Sequence, residues 1–417
     1  MIRAAVPRLA GLNLSARVPA SKSVTNRALL LAATSRNPVL VRSPLACEDA
    51  TAIRAALEAA GAEIRETGDG LLVRRGIPCA GESVLDVRDS GTACRFLAAY
   101  ASTSGGGRYR LTGSARLQQR PIGPLVDALR QMGADVEYAG RAGYPPLSIG
   151  GRRLSGGRVR LDASLSSQFA SALLLTAPLL DDRIDVVLEG RPVSRAYLET
   201  TAEALSEAGI SVERRVDGWS AGPGEVAATE LSVPADFSSA VALASGVAVA
   251  GGRARLLGLA WPSTQADAAA FSVLEAAGVE VRRDPEATTV SGRASRPVTV
   301  EASGFPDAVP CLAAVAAGLP GESAFSGVAH LRIKESDRAA AITAILSRAG
   351  SACEMSDGVL RVSGRPEPAT GAADFPTFGD HRIVMAATLL ALRQGGWVEN
   401  PRAVDKSYPS FFEHLFS

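Results

Sequence analysis

Leu57-Glu58-Ala59-Ala60-Gly61-Ala62-Glu63-Ile64 joins the end of an apolar-periodic helix to the start of an alternating strand. The glycine suits the left-handed residue that closes a helix, and the residues after it alternate as a half-buried strand does. The same Leu-x-x-x-Gly signature returns at Leu129…Gly133, Leu205…Gly209, Leu274…Gly278 and Leu346…Gly350, with a weaker copy at Leu392…Gly396. The glycines are spaced by 72, 76, 69, 72 and 46 residues. This predicts six copies of one helix–strand unit. Units of that length are long for a solenoid, and their mixed content favours compact α/β domains.

The last copy is short, and residues 1–14, with alternating Ile2, Ala4 and Val6, are expected to supply what it lacks. The reading divides the chain into a middle domain, residues 15–230, and a terminal domain, residues 1–14 plus 231–417, with three units in each. A chain of 417 residues is also too long for one ordinary core.

Composition narrows the partners. A net charge of +1 argues against nucleic acid or an anionic membrane surface. The longest uncharged run, residues 163–180, is broken by Ser164, Ser166, Ser167, Gln168 and Pro178, which excludes a bilayer span. Five cysteines without a CxxC pair fit a reducing cytosol, and three histidines give little basis for a histidine metal site. Seven basic residues precede the first acid, Glu48, but helix- and strand-like segments begin almost at once, so a targeting segment is rejected and a cytoplasmic protein expected.

Of 44 lysines and arginines, three are lysine: Lys22, Lys334 and Lys406. In a chain that uses arginine for generic surface charge, these compact ammonium groups are candidates for proton transfer or phosphate contact. Two of them belong to a recurring anomaly, cations at helix starts. Pro19-Ala20-Ser21-Lys22-Ser23-Val24-Thr25-Asn26-Arg27 leads into an apolar helix, with Ser21 or Ser23 as the expected cap. Asp89-Ser90-Gly91-Thr92-Ala93-Cys94-Arg95, Gln119-Arg120-Pro121-Ile122-Gly123, Lys334-Glu335-Ser336-Asp337-Arg338 and Asp380-His381-Arg382 repeat the pattern. A cation is disfavoured at the positive end of a helix dipole unless an anion is bound there. Five such starts therefore predict several bound anionic groups. Ser166-Ser167-Gln168 opens a further helix with neutral hydrogen-bonding groups, and Ser194 and Tyr197 lie at the next. Asp307 and Asp236 precede apolar helices and read equally as caps or as acid–base groups, while Glu335 is either a general acid or the partner of Lys334.

These motifs, in this order and spacing, together with Lys406-Ser407-Tyr408-Pro409-Ser410-Phe411-Phe412, resemble the 5-enolpyruvylshikimate-3-phosphate synthases over essentially the whole chain. The resemblance implies transfer of enolpyruvyl from phosphoenolpyruvate to the 5-hydroxyl of shikimate-3-phosphate, with release of phosphate, in chorismate and aromatic amino acid biosynthesis. It implies an α/β fold of two inside-out barrels, each of three βαβαββ units, that close around the substrates. It implies a monomer with no cofactor and no metal.

Residue by residue, it assigns shikimate-3-phosphate to Lys22, Ser23, Arg27, Ser166, Ser167, Gln168, Ser194, Tyr197, Asp307 and Lys334. It assigns phosphoenolpyruvate to Lys22, Gly91, Arg120, Gln168, Arg338, Arg382 and Lys406. Asp307 is placed to hold and deprotonate the attacking hydroxyl, and Glu335, helped by Lys22, to protonate the methylene carbon. Ala20, Asp89 and His330 depart from the family's usual Gly, Asn and, in one branch, Asn. Asp89 would bring negative charge near the phosphoenolpyruvate turn. Gly91 is retained, which implies inhibition by glyphosate. The sister enzyme acting on UDP-N-acetylglucosamine typically carries a cysteine ahead of the Arg120 region, and residues 105–123 contain none. A non-catalytic anion-binding scaffold would explain the cationic helix starts but not Asp307 and Glu335 among them.

Overall fold

Five of the six glycine signatures close their helices in one way. The glycine is left-handed, with φ of +104° at Gly61, +86° at Gly133, +81° at Gly209, +100° at Gly278 and +77° at Gly350. The amide one residue further on donates to the carbonyl of the signature leucine: Ala62 to Leu57 at 2.9 Å, Ala134 to Leu129 at 3.1 Å, Ile210 to Leu205 at 2.8 Å, Val279 to Leu274 at 3.0 Å and Ser351 to Leu346 at 3.0 Å. This is the 6→1 bond of a Schellman cap, and it fixes the spacing from leucine to glycine. Each of those leucines is fully buried, so one motif both ends the helix and anchors it in a core. The sixth copy differs. Its helix ends on Gly395 (φ +84°), whose own amide returns to Ala391 at 2.7 Å, and the strand starts at Gly396. The cap is thus one residue earlier than the sequence predicts, because the extra Gly395 takes the left-handed position.

The computed structural model describes residues 2–78, 81–190 and 193–417. Cys79 lies outside them. The chain forms two units, Ala20–Val233 and residues 2–19 with Pro234–Ser417, each with its own apolar core.

The middle unit holds helices α1 (Lys22–Thr34), α2 (Glu48–Ala59), α3 (Gly91–Thr103), α4 (Gly123–Gln131), α5 (Gln168–Leu175) and α6 (Ala196–Glu207). Its sheets share one plan: a strand, a parallel neighbour reached through a helix, then an antiparallel hairpin whose second strand lies next to that neighbour. Glu82–Asp86, Arg108–Thr112, Leu147–Gly150 and Asp135–Tyr138 form one sheet, and Gly157–Asp162, Ile184–Glu189, Gly218–Ala221 and Val212–Arg214 another. The third sheet, Val39–Arg42 with Gly70–Arg74 and Glu63–Thr67, obtains its parallel edge from the far end of the unit, Glu230–Ser232.

The terminal unit holds α7 (Phe237–Ala250), α8 (Ala270–Ala276), α9 (Val309–Ala316), α10 (Arg338–Arg348), α11 (His381–Gln394) and α12 (Phe411–Leu415). One of its sheets takes Leu12–Arg17 as the parallel partner of Gly252–Leu257. The short last copy, Ala373–Phe375 with Gly396–Glu399, is completed by Arg3–Val6, which pairs antiparallel with Gly396–Glu399.

In both units the sheets surround buried helices. α1, α3 and α5 in the middle unit, and α7, α9 and α11 in the terminal unit, are buried along nearly their whole length. Their all-round apolar character requires this, since a helix without a polar face has none to show to water. Their charged residues, apart from Arg393 at the end of α11, fall in the first two turns, near the backbone amides that lack intrahelical partners.

Candidate active site

In the middle unit, Lys22 is the first residue of α1. It is buried, and its Nζ lies 3.2 Å from Asp49 Oδ2 on the first turn of α2. Ser21 occupies the N-cap, but neither it nor Ser23 makes a side-chain cap bond, contrary to the sequence expectation; Ser21 Oγ is buried without a partner. Arg27 is 2% exposed and turned into the unit. Its Nε donates to Thr201 Oγ1 at 2.9 Å, Nη1 to the Ser23 carbonyl at 2.8 Å, and Nη2 to the Tyr197 carbonyl at 3.2 Å and Ser171 Oγ at 3.4 Å. Four of five N–H donors are thereby used, leaving one on Nη1. Burial pulls this guanidinium down to about 10.

The starts of α3 and α5 are tied together. Ser90 caps α3 by accepting the Ala93 amide. Gln168 Oε1 accepts Arg95 Nη1 at 2.7 Å, and its Nε2 donates to Thr92 Oγ1 at 3.1 Å. Arg95 also reaches the carbonyls of Gly91 and Pro121. Gly91 lies against Arg120: a Cβ there would stand 2.5 Å from the Arg120 Cζ. Arg120 is itself buried. α5 starts at Gln168, whose amide donates to Ser166 Oγ at 3.2 Å. Ser167 is buried at the N-cap, and Ser194 is buried with a left-handed φ of +55° ahead of α6. Asp89, the acidic departure, accepts the Ser114 hydroxyl at 2.8 Å, so part of its charge is already engaged.

In the terminal unit the organising group is Arg338, 1% exposed at the start of α10. Its Nε and Nη2 hold Asp380 at 2.8 and 3.3 Å, Nη1 holds Asp307 Oδ1 at 2.8 Å, and Nη2 also holds Glu335 Oε2 at 2.8 Å. Asp380 at the same time caps α11 through the Arg382 amide at 2.9 Å and accepts Ser336 Oγ at 3.0 Å. Three carboxylates on one guanidinium keep it charged despite burial.

Asp307 precedes α9 and is the most accessible of the three acids. Its second oxygen faces Arg382 Nη2 at 3.6 Å. Burial pushes its carboxyl up, but Arg338, Arg382 and Lys334 outweigh that and hold it well below the usual carboxylate range. Asp236 caps α7 through Ser239. Lys406 is buried at the end of a 3-10 turn, and His330 is buried, its imidazole pushed down to about 3 by burial and by Lys334.

The sequence reading overlooked Asp49, Arg95 and Asp380 as holders of candidate residues. Asp380 stood out only as the residue ahead of His381-Arg382 at a helix start. The contacts of Asp49 and Arg95 span 27 and 73 residues and leave no local pattern. Among the described residues no group of three or more His, Cys, Asp or Glu could hold a metal ion. No helix among them is long and apolar enough to cross a membrane.

Each unit therefore gathers cations at buried helix starts. The terminal unit adds two carboxyl groups, Asp307 and Glu335, on a single arginine. Such an arrangement can bind anions and move protons beside them.

The sequence profile of the family described as EPSP synthase (3-phosphoshikimate 1-carboxyvinyltransferase) matches residues 9–415. A relative named 3-phosphoshikimate 1-carboxyvinyltransferase from Methanoculleus marisnigri is 38% identical over 410 residues, covering 95% of each chain. Another of that name, from Shewanella sediminis, is 32% identical over 407 residues, again covering 95% of each. Among solved structures, an EPSP synthase from Acinetobacter baumannii superposes with a TM-score of 0.78 at 24% identity, covering 100% of this chain and 98% of that one. The enolpyruvyl transferase NikO from Streptomyces tendae gives 0.75 at 19% identity, covering 99% and 96%. Both share the fold.

Proposed function

Since the chain belongs to the EPSP synthase family, and so transfers enolpyruvyl from phosphoenolpyruvate to the 5-hydroxyl of shikimate-3-phosphate with release of phosphate, we propose that Asp307 and Glu335 are its acid–base pair and that the cationic helix starts hold the two substrates. The observation that carries this reading is Asp307, partly open to solvent and held ionised between Arg338 and Arg382.

In the substrate-free state Asp307 is too well neutralised to be a strong base. A substrate anion that draws on Arg382 and Arg338 removes counter-charge from Asp307, which raises its affinity for a proton. The base is thus switched on by the bound phosphoenolpyruvate. The substrate hydroxyl oxygen then forms a bond to the central carbon of phosphoenolpyruvate while its proton passes to Asp307. Glu335, assisted by Lys22, delivers a proton to the methylene carbon. Elimination breaks the carbon–oxygen bond to the phosphate, which leaves as inorganic phosphate with the proton held by Asp307, while the methyl group returns a proton to Glu335 and the double bond is restored. Arg338, Arg382, Lys406, Arg120, Lys22, Gln168 and the backbone at Gly91 are assigned to phosphoenolpyruvate. Lys334, Ser23, Ser166, Ser167, Gln168, Ser194, Tyr197, Asp307, Lys22 and the remaining Nη1 proton of Arg27 are assigned to shikimate-3-phosphate.

We further propose that the enzyme works in the cytoplasm as a monomer, as two domains near the boundaries of the two units. The reduced cysteines Cys47, Cys94, Cys311 and Cys353 support the compartment. The test is phosphate release from phosphoenolpyruvate with shikimate-3-phosphate, comparing the wild type with Asp307→Asn and Glu335→Gln. Loss of at least 100-fold in kcat is expected for each, typical of removing a positioned acid or base. Full activity in either variant refutes its role.

A further inference from the structure

A second cationic place lies in the terminal unit, at the far end of its buried helices. A cavity of about 450 Å³ opens at the C-terminal ends of α7, α9 and α11, the helices whose first turns follow Asp236, Asp307 and Asp380. α7 and α11 have 14 residues each and so run for about 21 Å, which sets the cavity apart from the candidate active site. Three loops are stitched to the helix ends around it. The Leu9 amide donates to the Leu392 carbonyl of α11, the Ala294 amide to the Ala248 carbonyl of α7, and the Arg365 amide to the Ala317 carbonyl just after α9, each at 2.9 Å.

Arg8 and Arg293 reach the cavity on two of these loops, and Arg393 from the last turn of α11. Arg293 Nη2 donates to the Ala250 carbonyl at 2.7 Å. Arg393 Nη1 donates to the Ala317 carbonyl at 3.2 Å, and its Nη2 to the Arg365 carbonyl. A guanidinium carries five N–H donors, so these bonds fix the two heads and leave most of their donors unused. Capping of helix C-termini accounts for Arg293 and Arg393 one at a time. It does not account for their convergence with Arg8, which is exposed and holds no helix end. No acid is among the described residues that line the cavity, and none of the three arginines makes an ion pair with a described residue. Elsewhere the surface arginines are paired, as Arg74 is with Glu63, Arg160 with Glu189 and Arg283 with Glu275. Burial, then Arg365 and Arg293, pull the Arg393 guanidinium down, with Glu367 opposing them. The cluster therefore lacks counter-charge.

The rest of the wall is largely apolar, with Leu9, Val249, Val315 and Leu319 in it. The cavity has the liquid volume of about fifteen waters and falls within the range of small-molecule pockets. An inorganic ion would fill little of it and leave the apolar wall wet. We propose that this cavity is a second ligand site, for a small organic acid whose carboxylate is held by Arg8, Arg293 and Arg393 and whose apolar body lies against the Leu9, Val249, Val315 and Leu319 wall. Arginine suits that role because its planar fork matches a carboxylate.

The test is isothermal titration of the protein with 2-naphthoate, which joins a carboxylate to an apolar ring system. Inorganic phosphate and 2-naphthylmethanol, each lacking one half, are the controls. 2-Naphthoate is expected to bind one to one with a Kd of about 1 mM or tighter, in keeping with its size, and each control at least about tenfold more weakly. Arg293→Gln and Arg393→Gln should each weaken 2-naphthoate by about tenfold, the loss of one charge-assisted hydrogen bond. Arg8→Gln should do the same without touching a helix end, so the reading does not depend on the other two variants folding. Shikimate-3-phosphate and phosphoenolpyruvate, each added alone so that no turnover occurs, should leave the 2-naphthoate affinity unchanged. Competitive displacement by either puts the probe in the active site and overturns the proposal. So does an absence of binding, an unchanged affinity in Arg8→Gln or in a folded Arg293→Gln or Arg393→Gln, or a control that binds as tightly as 2-naphthoate.

Discussion

Gly91→Ala isolates the contact between Gly91 and Arg120. The added Cβ would stand 2.5 Å from Arg120 Cζ and Nη1 and 2.6 Å from Nη2, where ordinary contact begins at 3.4 Å. The guanidinium must therefore withdraw by about 1 Å, the difference between those two distances. Arg120 is only 5% exposed, so it has little room for an alternative placement. A misplacement of that size in a binding group can lower activity by about 100-fold. A rise of about 10- to 100-fold in the KM for phosphoenolpyruvate is expected, or roughly 1.4–2.7 kcal/mol. Stability should not rise with it: Gly91 opens α3 without a positive φ, so the backbone accepts alanine, but the collision with the buried guanidinium offsets the gain of about 0.4–1 kcal/mol from the less free unfolded chain. The assays are phosphate release at varied phosphoenolpyruvate and thermal unfolding. Because the effect runs through one side chain, Gly91→Ala should add nothing on an Arg120→Ala background. An unchanged KM, or a full Gly91 effect without Arg120, refutes the reasoning.

Lys22→Ala should abolish phosphate release while circular dichroism stays native. Its melting temperature should fall, because the buried Asp49 carboxylate loses the ammonium that faces it at 3.2 Å. Arg338→Gln should lose about 3–5 kcal/mol in denaturant unfolding, since it takes the shared cation from buried Asp380 and half-buried Asp307 and Glu335, and more than Arg382→Gln, whose one ion pair is at 3.6 Å; equal losses would contradict the ranking. His330 binds its proton less readily folded than unfolded, so its contribution to stability is intact above the unfolded value near 6.5 and is lost as pH falls toward about 3. His330→Asn should therefore remove about 2 kcal/mol of the acid destabilisation between pH 6.5 and 5, read as a flatter stability–pH curve; an unchanged slope refutes it.

The repeat was legible because the Schellman cap demands a leucine and a glycine at fixed spacing, and both demands are local. The sixth copy was misframed by one residue for the same reason, since Gly395 and Gly396 are equally able to take the cap. Glu230–Ser232 could not be foreseen as a sheet edge: three residues, of which only Leu231 is buried, carry no periodicity. The candidate residues on helix starts were legible as unusual charges. Their holders were not, because Asp49 and Arg95 act through contacts formed only in the folded chain, and a lone acid in sequence reads as surface. Ser21 shows the opposite failure: it has the right residue type for a cap and stands at the N-cap, yet its hydroxyl makes no bond.

The strand Leu12–Arg17 pairs with Gly252–Leu257, so a segment made among the first must wait for some 235 residues to follow before its neighbour exists. At roughly 5–20 residues per second, translation leaves it unpaired for about 12–47 s. For most of that time Val39–Arg42 also lacks its edge partner Glu230–Ser232. The nascent chain thus carries two incomplete sheet edges until synthesis passes the middle unit, and both are templates for pairing with other chains. Ribosome stalling anywhere between residues 80 and 229 should therefore produce aggregation-prone fragments, whereas release after residue 233 lets the middle unit close its sheet.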